Sequence, residues 1–279
     1  MSVHMAGRTV TSKVLAILAS FERGPASLSL SQIADRAGLP LPTAHRLVGE
    51  LAAWGALEKT ATGRYAVGMR LWEVAQNAGR QLRDTARPYL QDLFSLTQET
   101  VHLAVREGNE ALYVDRVYSS KRVPRASRVG GRLPLHATAV GKVLLAYEEE
   151  WVPGAYLAHG LEARTPHTHT NPTWLAEELT TIREQGYATT CEEVRSGACS
   201  IAVPVLGQPG RAVAAIGLVM LSMQATQMRR YLPVLQGIAR RIEPALARLP
   251  GTLLGPVPVA TGALPRARNS LPLNGSGRL

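Results

Sequence analysis

The sequence has few cysteines and no long apolar run, and both absences narrow the class of protein. Its two cysteines, Cys191 and Cys199, lie in one short segment, which is no disulfide framework and fits a reducing compartment. No stretch reaches the roughly 18 apolar residues that a membrane-spanning helix needs. The N-terminus, MSVHMAGRTV, lacks the apolar core of a signal peptide. We therefore expect a cytoplasmic protein.

Length and charge indicate two domains, of which the first is basic. A chain of 279 residues with 46% hydrophobic residues is long enough for two compact domains with their own cores. The formal net charge is +10, and residues 1–80 carry 9 basic against 5 acidic side chains. Such an excess favours polyanionic partners, because each Lys or Arg that meets a phosphate releases a counterion.

The first 80 residues predict three helices followed by a hairpin. The predicted elements are helices over residues 12–22, 29–38 and 42–55, strands over 56–59 and 64–67, and a linker helix marked by Leu71, Val74, Ala75 and Ala78. Ser29 and Gln32 form a capping box, and Gly38 suits a left-handed C-cap. We expect a loop over 22–28. This order is typical of a winged helix-turn-helix domain.

The remaining residues alternate predicted helices and strands. Helices are expected over residues 84–98, 138–147, 171–185 and 225–249, and two hairpins over 101–117 and 200–221. This pattern predicts an α/β domain built on an antiparallel sheet, and the whole chain is of the α+β class. From Gly251 onward Pro, Gly, Ser and Arg dominate without periodicity, so we expect a disordered tail over 251–279.

The strongest local pattern lies between Leu30 and Gly49. The apolar interior positions, the small residue at the helix crossing and the glycine at the turn are those of two helices that meet at a steep angle. The residues that carry the pattern are Ile33, Ala34, Ala37, Gly38, Leu39, Ala44 and Leu47. An ordinary helical hairpin would also fit these residues, but the strands that follow favour the DNA-binding interpretation.

In such modules the N-terminal residues of the second helix face base edges in the major groove. Arg46 could bond bidentately to a guanine, although a solvated or phosphate-facing arginine would have the same sequence pattern. Residues of the wing are expected at phosphate or the minor groove. The candidate DNA-contacting residues are Ser31, Thr43, His45, Arg46, Lys59, Arg64 and Tyr65.

From about residue 10 to 249 the chain resembles the IclR family of bacterial regulators. The matching stretches are SLSQIADRAGLPLPTAHRL, GRYAVGMRLWEVA, ETVHLAV, GGRLPLHATAVGKVLLA and GYATTCEEVRSGACSIAVPV. The resemblance implies a winged-helix domain over 8–68, a linker helix over 69–83 and a GAF-like effector-binding domain over 84–250. It also implies a homodimer or dimer of dimers on palindromic operators. Leu41-Pro42 replaces the Lys-Ser pair that often opens the recognition helix in this family.

The resemblance also places an effector pocket in the second domain. The implied residues are Leu133, Ala139, Val140, Thr190, Ala198, Ser200, Gly217 and Val219. Backbone N–H groups of Ala139 and Val140 at a helix start suit a carboxylate. Thr190 stands at a frequent aspartate position and Ser200 at a frequent cysteine position, while Gly217 and Val219 replace the serines of glyoxylate-sensing relatives. We therefore expect a roomier, less polar cavity for a carboxylate with a sizeable apolar or aromatic body.

Several residues outside these patterns allow a different interpretation. Ser200 could serve a hydrolase, but it lacks a G-x-S-x-G elbow. His167 and His169, with His159 nearby, could hold a metal, and the cysteines could form a redox pair. The chain could also be a sensor that has lost specific DNA binding. A basic run could form a second nucleic-acid surface or an oligomer contact; it comprises Lys121, Arg122, Arg125, Arg128 and Arg132. We favour a DNA-binding regulator that is not an enzyme and needs no cofactor or metal.

Overall fold

The computed structural model describes residues 9–22, 24–75, 79–121, 123–124, 127–207 and 210–248. These residues form two compact units, one before and one after the step from residue 78 to residue 79. In the described part of the chain, no helix is long and apolar enough to cross a membrane. The tail expected over 251–279 lies outside the described residues.

The first unit contains the three predicted helices, a small sheet and the start of a fourth helix. Its elements are α1 (Val10–Ala19), β1 (Ser27–Leu28), α2 (Leu30–Ala37), α3 (Leu41–Trp54), β2 (Leu57–Lys59), β3 (Tyr65–Val67) and α4 (Met69–Ala75). The strands pair antiparallel in the order β1-β3-β2. This is the winged helix-turn-helix arrangement that the sequence predicts.

The junction between α2 and α3 follows directly from local sequence. Ser29 Oγ accepts the Gln32 backbone N–H while Gln32 Oε1 accepts that of Ser29, so the capping box is present. Gly38 ends α2 at φ 62°, a left-handed conformation that glycine adopts without steric cost. Ala34 is 4% exposed and belongs to the core that α2 and α3 share.

We expect Ser29→Ala to lower the free energy of unfolding of this unit by about 1 kcal/mol, because one end of α2 loses its capping oxygen. Ser31→Ala is the matched control, since Ser31 is exposed and lies within the first turn instead of at the cap. Urea unfolding of both variants measures the difference. Equal stability of the two variants would show that the capping box contributes little.

One element of this unit was not expected. Residues 22–28 were predicted as a loop, but Ser27 and Leu28 form β1 and pair with Ala66 and Tyr65. A strand of two residues is too short for its hydrophobic pattern to show. It adds a third strand to the wing.

The second unit is a six-stranded antiparallel sheet with helices on both faces. Its elements are α5 (Arg80–Thr97), β4 (Thr100–Glu107), β5 (Glu110–Val117), β6 (Arg132–Pro134), α6 (Ala139–Ala146), α7 (Trp151–Leu157), α8 (Pro172–Gln185), β7 (Ala188–Cys191), β8 (Ala198–Leu206), β9 (Ala212–Leu221), a 3-10 helix (Ser222–Tyr231) and α9 (Leu232–Leu246). The strand order is β6-β5-β4-β9-β8-β7. Helices α5 and α9 pack on one face, while α6 and α8 enclose a second core on the other.

The predicted helices and hairpins of this unit are present, but three elements are additional and two boundaries differ. The edge strands β6 and β7 and the short helix α7 were not expected, because none is long enough to show a period. The closing helix was predicted as one element over 225–249. It begins instead at Leu232, since Pro233 belongs in a first turn. Helix α4 is described over Met69–Ala75, and α5 begins at Arg80, after Gly79 at φ 62°, so residues 80–83 belong to α5. Ala78, expected in the linker helix, lies outside the described residues.

Candidate functional sites

The N-terminal half of α3 presents a polar face. Ala44, Leu47 and Val48 are buried against α2, whereas His45 and Arg46 are exposed on the opposite side. Thr43 is half-buried. Pro40 stands at the N-cap of α3, and its side chain accepts no hydrogen bond from the helix. The start of α3 therefore presents backbone N–H groups of the kind that bind phosphate.

Arg46 is paired on its own helix. Its Nη1 lies 2.5 Å from Glu50 Oε1, one turn further on, and both side chains are 60% exposed. An exposed pair of this kind contributes only about 0.3–0.5 kcal/mol, so a phosphate or base could displace Glu50 at little cost. The pairing also shows that Arg46 reaches along the outer face of α3.

The wing residues fall into two groups. Lys59 is exposed at the end of β2. Arg64 is half-buried and holds the wing to the helix pair: its Nε and Nη2 donate to Ser27 Oγ (3.1 Å) and O (2.7 Å), and Nη2 also donates to Gln32 Oε1 (3.0 Å). Tyr65 packs against the core of the first unit. The structure therefore gives Arg64 and Tyr65 structural contacts that the sequence does not reveal. Candidate Ser31 is exposed at the start of α2.

The second unit contains a cavity between α6 and the sheet. All eight residues of the expected effector pocket line it: Leu133, Ala139, Val140, Thr190, Ala198, Ser200, Gly217 and Val219. Polar residues that were not expected there also line it: His102, Tyr113, Arg116, Ser127, Thr138, Glu193 and Arg195. The wall is thus more polar than expected.

The cavity is narrow as the structure has it. The volume of the cavity is only about 60 Å³. The expected roomy cavity is not present in this form, so an effector with a ring has to widen the walls.

Helix α6 begins at the cavity wall. Its N-cap Thr138 accepts the Gly141 N–H through its side chain (3.1 Å), and its carbonyl accepts the first intrahelical bond from Lys142 (2.8 Å). The amides of Ala139 and Val140 precede that bond and have no intrahelical acceptor. A Cβ on Gly141 would lie 2.4 Å from the Leu135 carbonyl oxygen, so glycine is required where α6 approaches the segment before it. The geometry suits an anion at the first turn of α6.

The sheet supplies the opposite wall. The Oγ atoms of Thr190 and Ser200 lie 2.6 Å apart across neighbouring strands. His102 is buried, and its Nε2 lies 3.3 Å from Ser127 Oγ. Burial, and to a smaller extent the nearby charge of Arg116, lowers the pKa of His102 to about 3. His102 is therefore neutral at pH 7. Burial raises the pKa of Tyr113. The Tyr113 ring meets the His102 ring edge-on, with 5.1 Å between the ring centroids.

A buried ion cluster supports α6 beside the cavity. Lys142 is fully buried, and its Nζ donates to Glu178 (2.8 Å) and Glu193 (3.0 Å). Burial raises the pKa of Glu193, an effect that Lys142 opposes. The cluster ties α6 to α8 and to the segment after β7. Sequence reasoning missed it, because a lysine in an apolar stretch gives no local sign of its distant partners.

The residues considered for a metal site or a hydrolase do not converge. His167 faces Glu192 and His169 faces Glu178, and the described residues contain no group of three or more metal-ligating side chains. Ser200 bonds to Thr190 instead of to a histidine.

The cysteines and the basic run have separate surroundings. Cys191 and Cys199 stand opposite each other on β7 and β8 as free thiols, and burial raises the pKa of Cys199 to about 12. In the basic run, Lys121 pairs with Glu99 and Arg132 with Glu107. Arg122 and Arg125 lie outside the described residues.

A winged helix-turn-helix unit followed along the chain by an α/β unit that contains a cavity is typical of transcriptional regulators. Comparison with known proteins specifies the family. Residues 10–61 match the IclR helix-turn-helix domain, and residues 75–244 match the bacterial transcriptional regulator IclR C-terminal domain. The chain belongs to the IclR family of DNA-binding transcriptional regulators.

Individual relatives agree with this assignment. The Escherichia coli regulator XynR is 33% identical over 210 residues, 74% of this chain and 83% of XynR. The Escherichia coli repressor AllR is 33% identical over 231 residues, 81% of this chain and 85% of AllR. These relatives are named as transcriptional regulators and not as enzymes.

Solved structures give the same result. An IclR homologue from Microbacterium hydrocarbonoxydans, complexed with 4-hydroxybenzoate, superposes with a TM-score of 0.79 at 32% identity, covering 85% of this chain and 99% of the homologue. The Thermotoga maritima IclR superposes with a TM-score of 0.70 at 31% identity, covering 85% and 98%.

Proposed function

We propose that this chain is a sequence-specific regulator whose affinity for a palindromic operator changes when a small carboxylate binds the cavity of the second unit. The observation that carries the effector half is the position of the α6 N-terminus in the cavity wall. The amides of Ala139 and Val140 and the helix dipole lie in that wall, and the hydroxyls of Thr190 and Ser200 belong to the wall that the sheet supplies. The exposed face of α3 supports the part of the proposal that concerns DNA binding.

The cavity walls and one relative support an effector with an apolar or aromatic body. Leu133, Ala198 and Val219 provide apolar contacts. Gly217 lies so close to Val140 that a Cβ there would press on the cavity wall. The Microbacterium homologue is complexed with 4-hydroxybenzoate, a carboxylate on a ring. The carboxylate of such an acid suits the polar end of the cavity in this chain, and the ring requires the cavity walls to move apart.

Operator binding is proposed to involve a homodimer. None of the described residues of α4, Met69–Ala75, is buried. Met69, Trp72 and Val74 are each more than half exposed. Val10 and Leu15 of α1 are exposed as well. Isolated exposed apolar residues are common, but three among the seven described residues of this helix favour a second copy as partner. Two recognition helices about 34 Å apart would match successive turns of DNA.

Two binding experiments test the proposal. Gel shifts with the DNA upstream of the chain's own gene should give a discrete, salt-sensitive complex that survives competitor DNA. Calorimetric titration with benzoate, 4-hydroxybenzoate and short-chain acids should show saturable binding at one site per chain. Ligand binding without a specific DNA complex would favour a sensor that has lost DNA recognition. Tight binding of glyoxylate alone would contradict the proposed apolar or aromatic body.

Gly217 offers a direct test of the cavity. A Cβ there would lie 3.1 Å from Val140 Cγ1 and 3.0 Å from the Ile201 carbonyl oxygen, so Gly217→Ala should narrow the cavity and weaken acid binding about tenfold or more. Gly237→Ala is the matched control, since a Cβ at Gly237 meets no atom within 4 Å. Calorimetry measures both variants. Unchanged affinity in Gly217→Ala would place the acid elsewhere.

A further inference from the structure

An acidic side chain lines the cavity together with the groups that suit an anion. Glu193 stands two residues after the end of β7, is 4% exposed, and is the one acid among the described residues of the cavity wall. A carboxylate repels another anion, so the binding of an acid does not by itself explain why Glu193 lies there. The hydrogen bonds of Glu193 indicate a different role.

The two oxygens of the Glu193 carboxylate have different surroundings. Oε1 accepts a hydrogen bond from Lys142 Nζ at 3.0 Å. Oε2 is buried and has no hydrogen-bond partner in the part of the chain that the structure describes. A buried acceptor that has lost its water costs free energy unless a donor replaces that water. Because Glu193 lines the cavity, a donor on a molecule bound there would satisfy Oε2.

Lys142 has no donor left for this oxygen. An ammonium group carries three N–H bonds, and Nζ of Lys142 uses them on Glu178 Oε1 (2.8 Å), Glu178 Oε2 (2.9 Å) and Glu193 Oε1. A rotation of Lys142 toward Oε2 of Glu193 would therefore break one of these bonds. The same three bonds hold the Glu193 carboxylate in one orientation beside α6.

The charged groups of the wall leave room for both an acid and a donor. Arg116 and Arg195 line the cavity, and each interacts with other groups of the chain. His102 is neutral at pH 7. With the α6 N-terminus, the two arginines keep the wall positive overall despite Glu193, so an acid remains the expected occupant. Its carboxylate cannot bind Glu193, which leaves Oε2 for another part of the same molecule.

We propose that the effector is an acid with a hydroxyl or amino group, which donates a hydrogen bond to Glu193 Oε2 while the carboxylate binds at the first turn of α6. This inference rests on the proposed function and specifies the chemical class of its effector. A site with a buried acceptor discriminates strongly against an analogue that lacks the donor. The 4-hydroxybenzoate in the complex of the Microbacterium homologue carries both a carboxylate and a hydroxyl.

The first test compares acids of nearly equal size. 3-Hydroxybenzoate and 4-hydroxybenzoate, each beside the fluorobenzoate with the same substitution, are titrated into the wild-type chain at pH 7 by calorimetry. Fluorine is close to a hydroxyl in size but donates no hydrogen bond. We expect at least one hydroxybenzoate to bind about tenfold or more tightly than its fluoro partner, because a hydrogen bond to a carboxylate is stronger than one between neutral groups.

The titrations separate a failure of this inference from a failure of the proposed function. If both hydroxybenzoates bind less than about threefold more tightly than their fluoro partners, the inference is overturned and the proposed function stands. If none of the four acids binds, the proposed function itself is contradicted.

Glu193→Gln then assigns the preference to this carboxylate. Lys142 holds the amide by its oxygen, so the amide NH₂ takes the place of Oε2 and a donor replaces the acceptor. The preference for the hydroxybenzoate should fall below about twofold, while the affinity for the fluorobenzoate changes less than about threefold. Glu177→Gln removes the same charge from an exposed position on α8 and should change neither affinity. Equal loss of both acids in Glu193→Gln would give Glu193 a structural role and contradict the inference.

Discussion

Replacing Arg46 with alanine is expected to weaken binding to the operator by about 5–150-fold, because a bidentate contact to guanine contributes roughly 1–3 kcal/mol of discrimination. The structure places Arg46 on the exposed face of α3, where it forms the weak pair with Glu50. The loss should be larger for the operator than for random DNA, since a base contact specifies sequence whereas a phosphate contact does not. Fluorescence anisotropy with both DNAs measures the two effects.

Glu50 supplies a matched control for this prediction. Glu50→Ala removes the partner of Arg46 and one negative charge, but it leaves the arginine in place. We expect this variant to bind the operator as tightly as the wild type or more tightly. Equal weakening of operator and random DNA by Arg46→Ala would show that Arg46 contacts phosphate. No weakening of either would place it outside the DNA interface.

Replacing Lys142 with methionine is expected to lower the free energy of unfolding by about 3 kcal/mol at pH 7. Removal of one partner from a buried ion pair leaves the other charge uncompensated, at a typical cost of about 3–5 kcal/mol. Glu178 is 27% exposed on its side chain and can be hydrated, so we expect the lower end of that range. Urea unfolding measures the loss. Arg241→Met, in an exposed pair, should cost less than about 1 kcal/mol.

The loss of stability in Lys142→Met should also depend on pH. Burial raises the pKa of Glu193 in the folded chain, and without Lys142 nothing in that pair opposes the rise. A carboxyl with a raised folded pKa destabilises the fold as the pH rises through that pKa, and it has no such effect below the unfolded value of about 4.3. The deficit of Lys142→Met should therefore shrink between pH 7 and pH 5. Adding Glu193→Gln should restore part of the stability at pH 7. A pH-independent deficit would indicate lost packing instead of an uncompensated charge.

The winged-helix unit could be predicted well from the sequence because its determinants are local. The capping box at Ser29, the left-handed Gly38 and the small Ala34 each specify their own part of the helix pair within a few residues. The strand β1 could not be predicted, since two residues show no period. The bonds of Arg64 to Ser27 and Gln32 span more than 30 residues and leave no sign in the sequence around the wing.

The cavity of the second unit was predicted in part. The resemblance to the family indicated eight wall positions, and the structure brings all eight to one cavity. Arg116 also lines the cavity, and the sequence did not predict it. Val114 of β5 has no partner on β4, and this β-bulge changes the face on which Arg116 lies. Such a bulge cannot be read from alternation along a single strand. Lys142 was missed for a different reason: its partner Glu193 is 51 residues away in sequence, and only the packing of α6 brings the two together.

The central claim is that acid binding in the second unit changes DNA binding by the first. Its most direct test is an anisotropy titration of the labelled upstream DNA with the full chain, with and without a saturating concentration of the acid that binds most tightly. We predict that the acid changes the DNA dissociation constant by about 5–150-fold, the range of typical coupling free energies. An identical dissociation constant in both titrations, with calorimetry showing the cavity filled, would contradict the account.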